Sequence, residues 1–295
     1  MGKIFSALEK SQGNNSAPPA SSTPPPASSI PPPASSTPPR QGNSEDREHE
    51  ETISLSRAEA DLQQQHSPAA IHFDPSLVIH TRPHSVEAEQ FRILKNSILF
   101  PGDGRPPRSI MVTSTAPGEG KSFVAANLAV SIAKSIDEYV LLMDCDLRMP
   151  SIHSKFGFSD IPGLSEYLSE ARPLSSILKQ TAIGKLSFLP AGRPPANPSE
   201  LISSDQMTRL LDEVTSRYDD RYVIIDSPPP YLTSEANALA RQVDAIVIVI
   251  KSGQTKKGEL QDLIDTYGRK KILGVVKNFS DQTMLYGKKK STYGY

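Results

Sequence analysis

A stretch of small residues, TSTAPGEGKSF (113–123), begins at the end of the apolar run SIMVTS. Residues 118–122 (GEGKS) fit a phosphate-binding loop, in which backbone N–H groups wrap a polyphosphate and the next helix offers its positive N-terminus. Thr115 stands where that pattern usually has its first glycine. We expect Lys121 to reach the β- and γ-phosphates and the Ser122 hydroxyl to coordinate Mg²⁺, although an ordinary Pro-Gly turn before a helix is the alternative. The residues expected to contact the nucleotide in this loop are Thr115, Ala116, Pro117, Gly118, Glu119, Gly120, Lys121, Ser122 and Phe123.

Two further apolar runs also end in residues that could do chemistry. In LLMDCDLRMP, Asp144 and Asp146 flank Cys145, and Arg148 follows two residues later. Alternate side chains of an extended segment point to the same side, so both carboxylates would face one way. In VIIDSPPP, Asp226 has the position of an acid that holds Mg²⁺ through water. A solvated loop is the alternative for each acid taken alone, but three such strand ends in one chain favour a single nucleotide site.

These motifs need elements that bring them together. Short apolar runs alternate with stretches of helical period, such as 122–135 and 204–217. This alternation predicts an α/β fold with a mostly parallel sheet and helices on both faces, in which ligands bind beyond the carboxyl ends of the strands. The predicted strands are SIMVTS (109–114), YVLLMD (139–144), KLSFLP (185–190), RYVIID (221–226), DAIVIVI (244–250) and KILGVVKN (271–278).

Composition excludes several classes of protein. The 295 residues carry a formal net charge of −1, so nothing global indicates a nucleic-acid partner. Cys145 is the single cysteine, which excludes a disulfide framework and a cysteine-based metal site and suits a reducing cytosol. The longest apolar run, AIVIVI, is too short to span a bilayer. We therefore expect a cytoplasmic protein.

The sequence divides into four parts. Residues 1–12 contain KIFSALEK, whose apolar spacing predicts a short amphipathic helix. Residues 13–70 hold three copies of a proline-rich seven-residue unit and then an acidic stretch, and we expect a disordered linker there. Residues 71–280 should form the folded domain. Residues 281–295 form a tail ending in LYGKKKSTYGY, which we expect to be flexible and whose three tyrosines, called here the tail tyrosines, are Tyr286, Tyr293 and Tyr295.

The combination of motifs resembles the bacterial tyrosine kinases (BY-kinases) that control capsule and exopolysaccharide export. That family has a variant phosphate loop ending P-G-x-G-K-[ST], as at residues 117–122, and a motif of three apolar residues followed by D-x-D-x-R, as at 141–148. It also has three apolar residues followed by D-x-P-P, as at 223–229, and a tyrosine-rich C-terminus. The resemblance runs from about residue 75 to the end and takes in GLSEYL (163–168) and AGRPPANPSELI (191–202).

This resemblance implies a P-loop NTPase fold and an ATP- and Mg²⁺-dependent kinase that phosphorylates the tail tyrosines of a neighbouring subunit. It implies that Asp144 accepts the tyrosine proton. Asn278, at the end of GVVKN, could contact adenine, although structural capping by an asparagine is equally plausible. The implied catalytic residues are Lys121, Asp144, Asp146 and Arg148, and the implied Mg²⁺ ligands are Ser122, Asp146 and Asp226.

The resemblance also implies partners. Family members carry E-x-x-R-x-x-R on a helix used for contacts in ring-shaped oligomers, and this chain has Glu89, Arg92 and, in the last position, Lys95. A solvated charged face is the alternative for these three residues. A separate inner-membrane activator of the chain-length-regulator type is expected to recruit the chain to the membrane, and a cognate tyrosine phosphatase is expected to act on it. Through these contacts the kinase would regulate polysaccharide polymerisation and export.

Other functions are open to the same fold. A MinD/ParA-type ATPase needs a lysine five residues before the loop lysine, where this chain has Ala116. Related iron–sulfur scaffold ATPases need a C-x-x-C, which is absent from the sequence. A non-catalytic, ATP-responsive scaffold of the export complex is the third alternative, and the intact set of Lys121, Asp144, Asp146 and Asp226 counts against it.

Overall fold

The computed structural model describes residues 73–280, apart from residues 103, 171, 217–220 and 232. The predicted N-terminal helix, the linker and the tail with its tyrosines lie outside the described residues, so the division into four parts stays a prediction. The strands of the described part are β1 (Ser109–Ser114), β2 (Tyr139–Asp144), β3 (Lys179–Gln180), β4 (Leu186–Leu189), β5 (Arg221–Asp226), β6 (Ala245–Lys251) and β7 (Ile272–Asn278).

The seven strands form one sheet in the order β3-β4-β2-β5-β1-β6-β7. Every neighbouring pair is parallel except β3 and β4. The carboxyl ends of parallel strands meet at one edge of a sheet, and β1, β2 and β5 are neighbours at its centre. The three sequence motifs therefore meet at one place.

Helices cover both faces of the sheet. The helices of the described part are α1 (Val78–Thr81), α2 (Val86–Leu99), α3 (Lys121–Ala133), α4 (Ile152–Lys155), α5 (Leu164–Glu170), α6 (Leu174–Ile177), α7 (Pro198–Ile202), α8 (Asp205–Ser216), α9 (Glu235–Gln242) and α10 (Lys257–Tyr267). One hydrophobic cluster joins the sheet to α2 and α3 through residues such as Phe91 and Leu128. A second cluster joins the opposite face to α8, α9 and α10 through Leu211, Leu239 and Leu263.

The predicted fold class is confirmed, and the strand boundaries agree to within one residue. Central strands such as β1 are buried along their whole length, which explains why they show no polar–apolar alternation. Sequence reasoning missed β3 and the shortest helices, because two to five residues are too few to show a period. No helix in the described part of the chain is long and apolar enough to cross a membrane.

Candidate active site

The phosphate loop connects β1 to α3 and turns at two glycines. Gly118 has φ +80° and Gly120 has φ +93°, in the left-handed region that other residues rarely adopt. A Cβ atom on Gly120 would also come within 2.1 Å of Asn278 Nδ2. The helix α3 begins directly afterwards, at Lys121, so its first N–H groups are free of helical partners. The loop can therefore direct backbone amides and a helix N-terminus at phosphate groups.

Lys121 places a positive charge among the carboxylates of the site. Its Nζ lies 2.7 Å from Asp146 Oδ2 and 3.8 Å from Asp226 Oδ2. It also donates to Ser122 Oγ at 3.3 Å. Burial lowers the pKa of Lys121, but the attraction of the carboxylates, Asp226 first, outweighs burial and raises the pKa above its ordinary value. Lys121 is therefore charged at neutral pH.

Asp144 and Asp226 lie opposite each other at the ends of β2 and β5, and both are fully buried. Burial, followed by the charge of Asp226, raises the pKa of Asp144 to about 7. Burial also raises the pKa of Asp226 to about 6, against the opposing effect of Lys121. An acid with a pKa near the working pH can both accept and release a proton, as a general base must.

Backbone amides fix the Asp144 carboxylate. The N–H groups of Ser151 and Ile152, before and at the start of α4, donate to Asp144 Oδ2 at 3.2 and 3.1 Å. The N–H of Asp146 donates to Asp144 Oδ1 at 3.2 Å. Asp146 itself forms part of the cavity wall, whereas Asp144 does not reach it. Asp144 therefore occupies the inner position of the two acids and Asp146 the outer one.

Asp226 has the properties of a metal ligand. Its two carboxylate oxygens are buried and have no hydrogen-bond partner among the described residues, and such atoms normally have one. Mg²⁺ usually takes one or two protein oxygens and completes its shell with water and substrate phosphates. No group of three or more His, Cys, Asp or Glu side chains within the described ranges could hold a metal alone. Ser122 and Asp226 thus fit Mg²⁺ that is shared with a nucleotide, while Asp146, paired with Lys121, is the less direct ligand.

A cavity of about 500 Å³ opens in front of the phosphate loop. Sequence reasoning missed part of its wall, although Met149 directly follows the predicted Arg148 and the two prolines lie two and three residues after Asp226. Nothing in the local sequence singles out Lys155. The loop contributes Pro117, Gly118, Gly120, Lys121, Ser122 and Phe123, the segment after β2 contributes Asp146, Arg148, Met149, Ser151 and Lys155, and the segment after β5 contributes Pro228, Pro229 and Thr233.

Arg148 braces the segment after β2. Its Nε donates to Glu235 Oε1 at 2.8 Å, and its Nη2 donates to Ser199 Oγ at 3.2 Å. Glu235 is the first residue of α9 and is only 1% exposed. Sequence reasoning missed Glu235, because an acid at a helix N-terminus is common and the partner lies 87 residues away. The catalytic role of Arg148 stays a prediction.

Four residues predicted to contact the nucleotide do not line the cavity. The Thr115 hydroxyl and the Ala116 N–H donate to the Glu119 carboxylate, each at 2.9 Å. Asn278 Nδ2 donates to the Glu119 carbonyl at 3.0 Å, which joins the end of β7 to the loop. Asn278 therefore links β7 to the loop in this structure, and its contact with adenine stays a prediction.

The three predicted interface residues lie on α2. Glu89 and Arg92 form an ion pair at 2.7 Å with both side chains well exposed, and Arg92 also donates to the Pro83 carbonyl. Lys95 is half-buried one turn further on. This arrangement is compatible with a solvated face as well as with a subunit contact, and the interface stays a prediction.

Known proteins share this fold. A family model described as "ParA: NUBPL iron-transfer P-loop NTPase" matches residues 106–293. The chain is 35% identical over 222 residues to the tyrosine-protein kinase YwqD of Bacillus subtilis, a match that covers 75% of this chain and 90% of that protein. The crystal structure of the chimerical protein CapA2B2 aligns with a TM-score of 0.63 at 36% identity and covers 70% of this chain and 91% of that one. The kinase domain of the Escherichia coli tyrosine kinase ETK aligns with a TM-score of 0.63 at 29% identity and covers 79% and 90% of the two chains. The chain thus has a P-loop NTPase fold, and it belongs to the bacterial tyrosine-protein kinase family.

Proposed function

We propose that this kinase uses ATP and Mg²⁺ to phosphorylate the tail tyrosines of a neighbouring subunit, and that it thereby regulates exopolysaccharide or capsule polymerisation and export. One observation carries the chemical part of this proposal. Asp144, with a pKa raised to about 7, lies in the same cluster as the phosphate-loop lysine and the buried Asp226. The cluster adjoins a cavity large enough for a nucleotide.

The proposed reaction needs an acceptor for the phenol proton, because tyrosine has a pKa of about 10. A bond forms between the phenolic oxygen and the γ-phosphorus, and the bond from the γ-phosphorus to the β–γ bridging oxygen breaks. The bonding electrons remain on that oxygen of ADP, and the phenol proton passes through one water to Asp144, because Asp144 lies behind the cavity wall. We assign this role to Asp144 rather than to Asp146, because Asp146 is paired with Lys121 at 2.7 Å.

The remaining residues neutralise and orient the phosphates. Lys121 supplies a fixed positive charge, and Asp146 holds its Nζ in position. Ser122 and Asp226 would hold Mg²⁺, which when bound neutralises charge on the β- and γ-phosphates. The backbone amides of the loop and of the α3 N-terminus add hydrogen bonds to the same oxygens.

The pH dependence of tyrosine phosphorylation distinguishes the two acids. In the wild type the rate at saturating MgATP should rise through about pH 7, where Asp144 loses its proton. Asp144→Asn should abolish this rise and lower the rate by about 10²–10⁴-fold. Asp146→Asn should keep the rise and mainly increase the KM for ATP. A flat profile in Asp146→Asn together with an unchanged profile in Asp144→Asn would reverse the assignment.

Phosphorylation between subunits can be tested by mixing two variants. One chain carries Lys121→Met with an intact tail, and the other carries an intact active site with all three tail tyrosines changed to Phe. Radiolabelled ATP should label the tail of the first chain, and the label should be on tyrosine. Lys270→Met, which changes an exposed lysine away from the site, serves as the control for the first chain. Label that appears only when the active site and the intact tail belong to one chain would refute transfer between subunits.

We also propose a place in the cell and a set of partners. The kinase works in the cytoplasm at the inner face of the membrane, where a chain-length-regulator-type membrane protein binds and activates it and a cognate tyrosine phosphatase reverses its action. The similarity to bacterial tyrosine kinases supports this proposal. A pull-down with the cytoplasmic segments of the membrane protein, with and without ATP, tests it. If no complex forms under either condition, the proposal that this membrane protein binds and activates the kinase would be refuted.

A further inference from the structure

Glu119 places a carboxylate inside a loop that is suited to anions. The residue is 4% exposed, and its side chain is not part of the cavity wall. The Thr115 hydroxyl lies 2.9 Å from both carboxylate oxygens, and the Ala116 N–H donates to Oε2 at 2.9 Å. These hydrogen bonds to the buried carboxylate therefore stabilise the first turn of the loop. It also engages the Ala116 amide, which could otherwise serve a phosphate.

The same carboxylate reaches a distant segment of the chain. The Thr255 hydroxyl donates to Glu119 Oε1, and the N–H of Lys251, at the end of β6, lies 3.4 Å from that oxygen. The Lys251 N–H also donates to Thr255 Oγ1 at 2.8 Å. Glu119 thus connects the phosphate loop to the segment between β6 and α10, 132 to 136 residues further along the chain.

The backbone of Glu119 is held as well. Its carbonyl accepts the Asn278 Nδ2 donor at 3.0 Å, and Gly118 and Gly120 on either side have the positive φ angles of the turn. The side chain is therefore tied to β6 and the carbonyl to β7. Neither strand belongs to the phosphate-loop motif, so the contacts come from outside the segment that binds phosphate.

We propose that Glu119 is a positioning residue for the kinase reaction, which fixes the phosphate loop in its binding conformation through Thr255 before the nucleotide arrives. The inference rests on the proposed function, in that ATP is the ligand of the loop. A carboxylate directed at the cavity would repel phosphates, whereas the inward carboxylate of Glu119 accepts hydrogen bonds from donors of the loop itself. A loop that is already ordered loses less conformational freedom on binding. The benefit should therefore appear in the affinity for the phosphate groups and not for the nucleoside.

The test compares ADP with adenosine in the full chain, each in competition with a fluorescent ADP analogue in the presence of Mg²⁺. Glu119→Ala should weaken ADP binding by about tenfold, the scale of a lost hydrogen bond to a charged group, and leave adenosine binding unchanged. Glu119→Gln should restore part of the loss, because its amide oxygen can still accept from Thr115 or Ala116. The KM for ATP should rise in parallel with the ADP dissociation constant, while kcat changes by less.

Thr255→Val provides a second, milder variant with the same shape and without the hydroxyl. It should weaken ADP binding by a few fold, and its effect should largely disappear when Glu119 is already alanine. Thr266→Val is the control, because in the described part of the chain the Thr266 hydroxyl donates within α10, to the Asp262 carbonyl. If Glu119→Ala does not fold, the comparison of Thr255→Val with Thr266→Val decides the question.

Three results would overturn the inference: ADP affinity unchanged in both variants, ADP and adenosine weakened equally, or effects of the two substitutions that simply add. A wild-type chain that binds no ADP would instead refute the proposed function. The two failures are therefore distinguishable.

Discussion

Replacement of Asp226 by asparagine should stabilise the metal-free protein at neutral and alkaline pH. Asp226 is fully buried at the end of β5, and its two oxygens have no hydrogen-bond partner among the described residues. The amide of asparagine has nearly the same shape and carries no charge. The substitution therefore removes a buried charge that burial destabilises.

The magnitude follows from the pKa of Asp226, which burial raises from an ordinary 3.8 to about 6. Between these values the native state binds more protons than the unfolded state, so the free energy of unfolding falls as pH rises. The favourable contribution is fully present below about pH 4 and is lost by the time pH exceeds about 6. A difference of about two pKa units corresponds to about 3 kcal/mol, and the weakened pairing of Lys121 reduces the expected gain to about 2 kcal/mol.

Urea unfolding in the presence of EDTA, at about pH 4.5 and about pH 8, measures this effect. Asp226→Asn should be more stable than the wild type by about 2 kcal/mol at the higher pH, and the difference should shrink at the lower pH. Asp137→Asn, which changes an exposed aspartate, should differ little from the wild type at either pH. A variant that is less stable than the wild type at the higher pH, or a difference independent of pH, would refute the reasoning.

Three further predictions concern the loop, the brace and the tail. Gly120→Ala should lower the free energy of unfolding by roughly 1–2 kcal/mol, because residue 120 has a φ of +93°. The added Cβ atom should also displace Asn278 and so weaken ADP binding. Equal urea unfolding midpoints for the variant and the wild type would contradict the loss of stability. Arg148→Ala removes the ion-pair partner of the buried Glu235 and should lower the free energy of unfolding by about 1–3 kcal/mol. Arg172→Ala, which removes an exposed ion pair, should change it little. Equal losses in the two variants would contradict the stabilising role of Arg148. Each phosphate adds about −1.5 to −2 charges to a tail with three lysines, so full phosphorylation should weaken the contacts between subunits. Light scattering can compare the phosphorylated chain with a chain whose tail tyrosines are changed to Phe. The same oligomeric state for both would contradict this prediction.

The sheet was predictable from the sequence because its central strands are continuous apolar runs. The runs of β2 and β5 end in the aspartates that carry their motifs, and the run of β1 ends directly before the phosphate loop. Spacing alone also indicated that Asp144 and Asp146 would act together, and the structure brings both to the charge of Lys121.

The directions of individual side chains were not predictable. Glu119 lies within the motif, but the inward direction of its carboxylate depends on a contact with Thr255, 136 residues away. The pairing of Arg148 with Glu235 depends on how α9 packs beside the segment after β2. The antiparallel pair of β3 and β4 involves two residues of β3, too few to leave a pattern. Such features are set by long-range packing, which local sequence patterns do not encode.

Phosphoamino-acid identification after incubation with radiolabelled ATP and Mg²⁺ tests the central claim most directly. The wild type and the Asp137→Asn control should both carry label on tyrosine, and tryptic mapping should place it in residues 281–295. Lys121→Met should carry none and Asp144→Asn should carry far less than the wild type, although both should remain folded. Label on serine or threonine, or equal tyrosine label in Lys121→Met and the wild type, would contradict the assignment of this site as a tyrosine kinase centre.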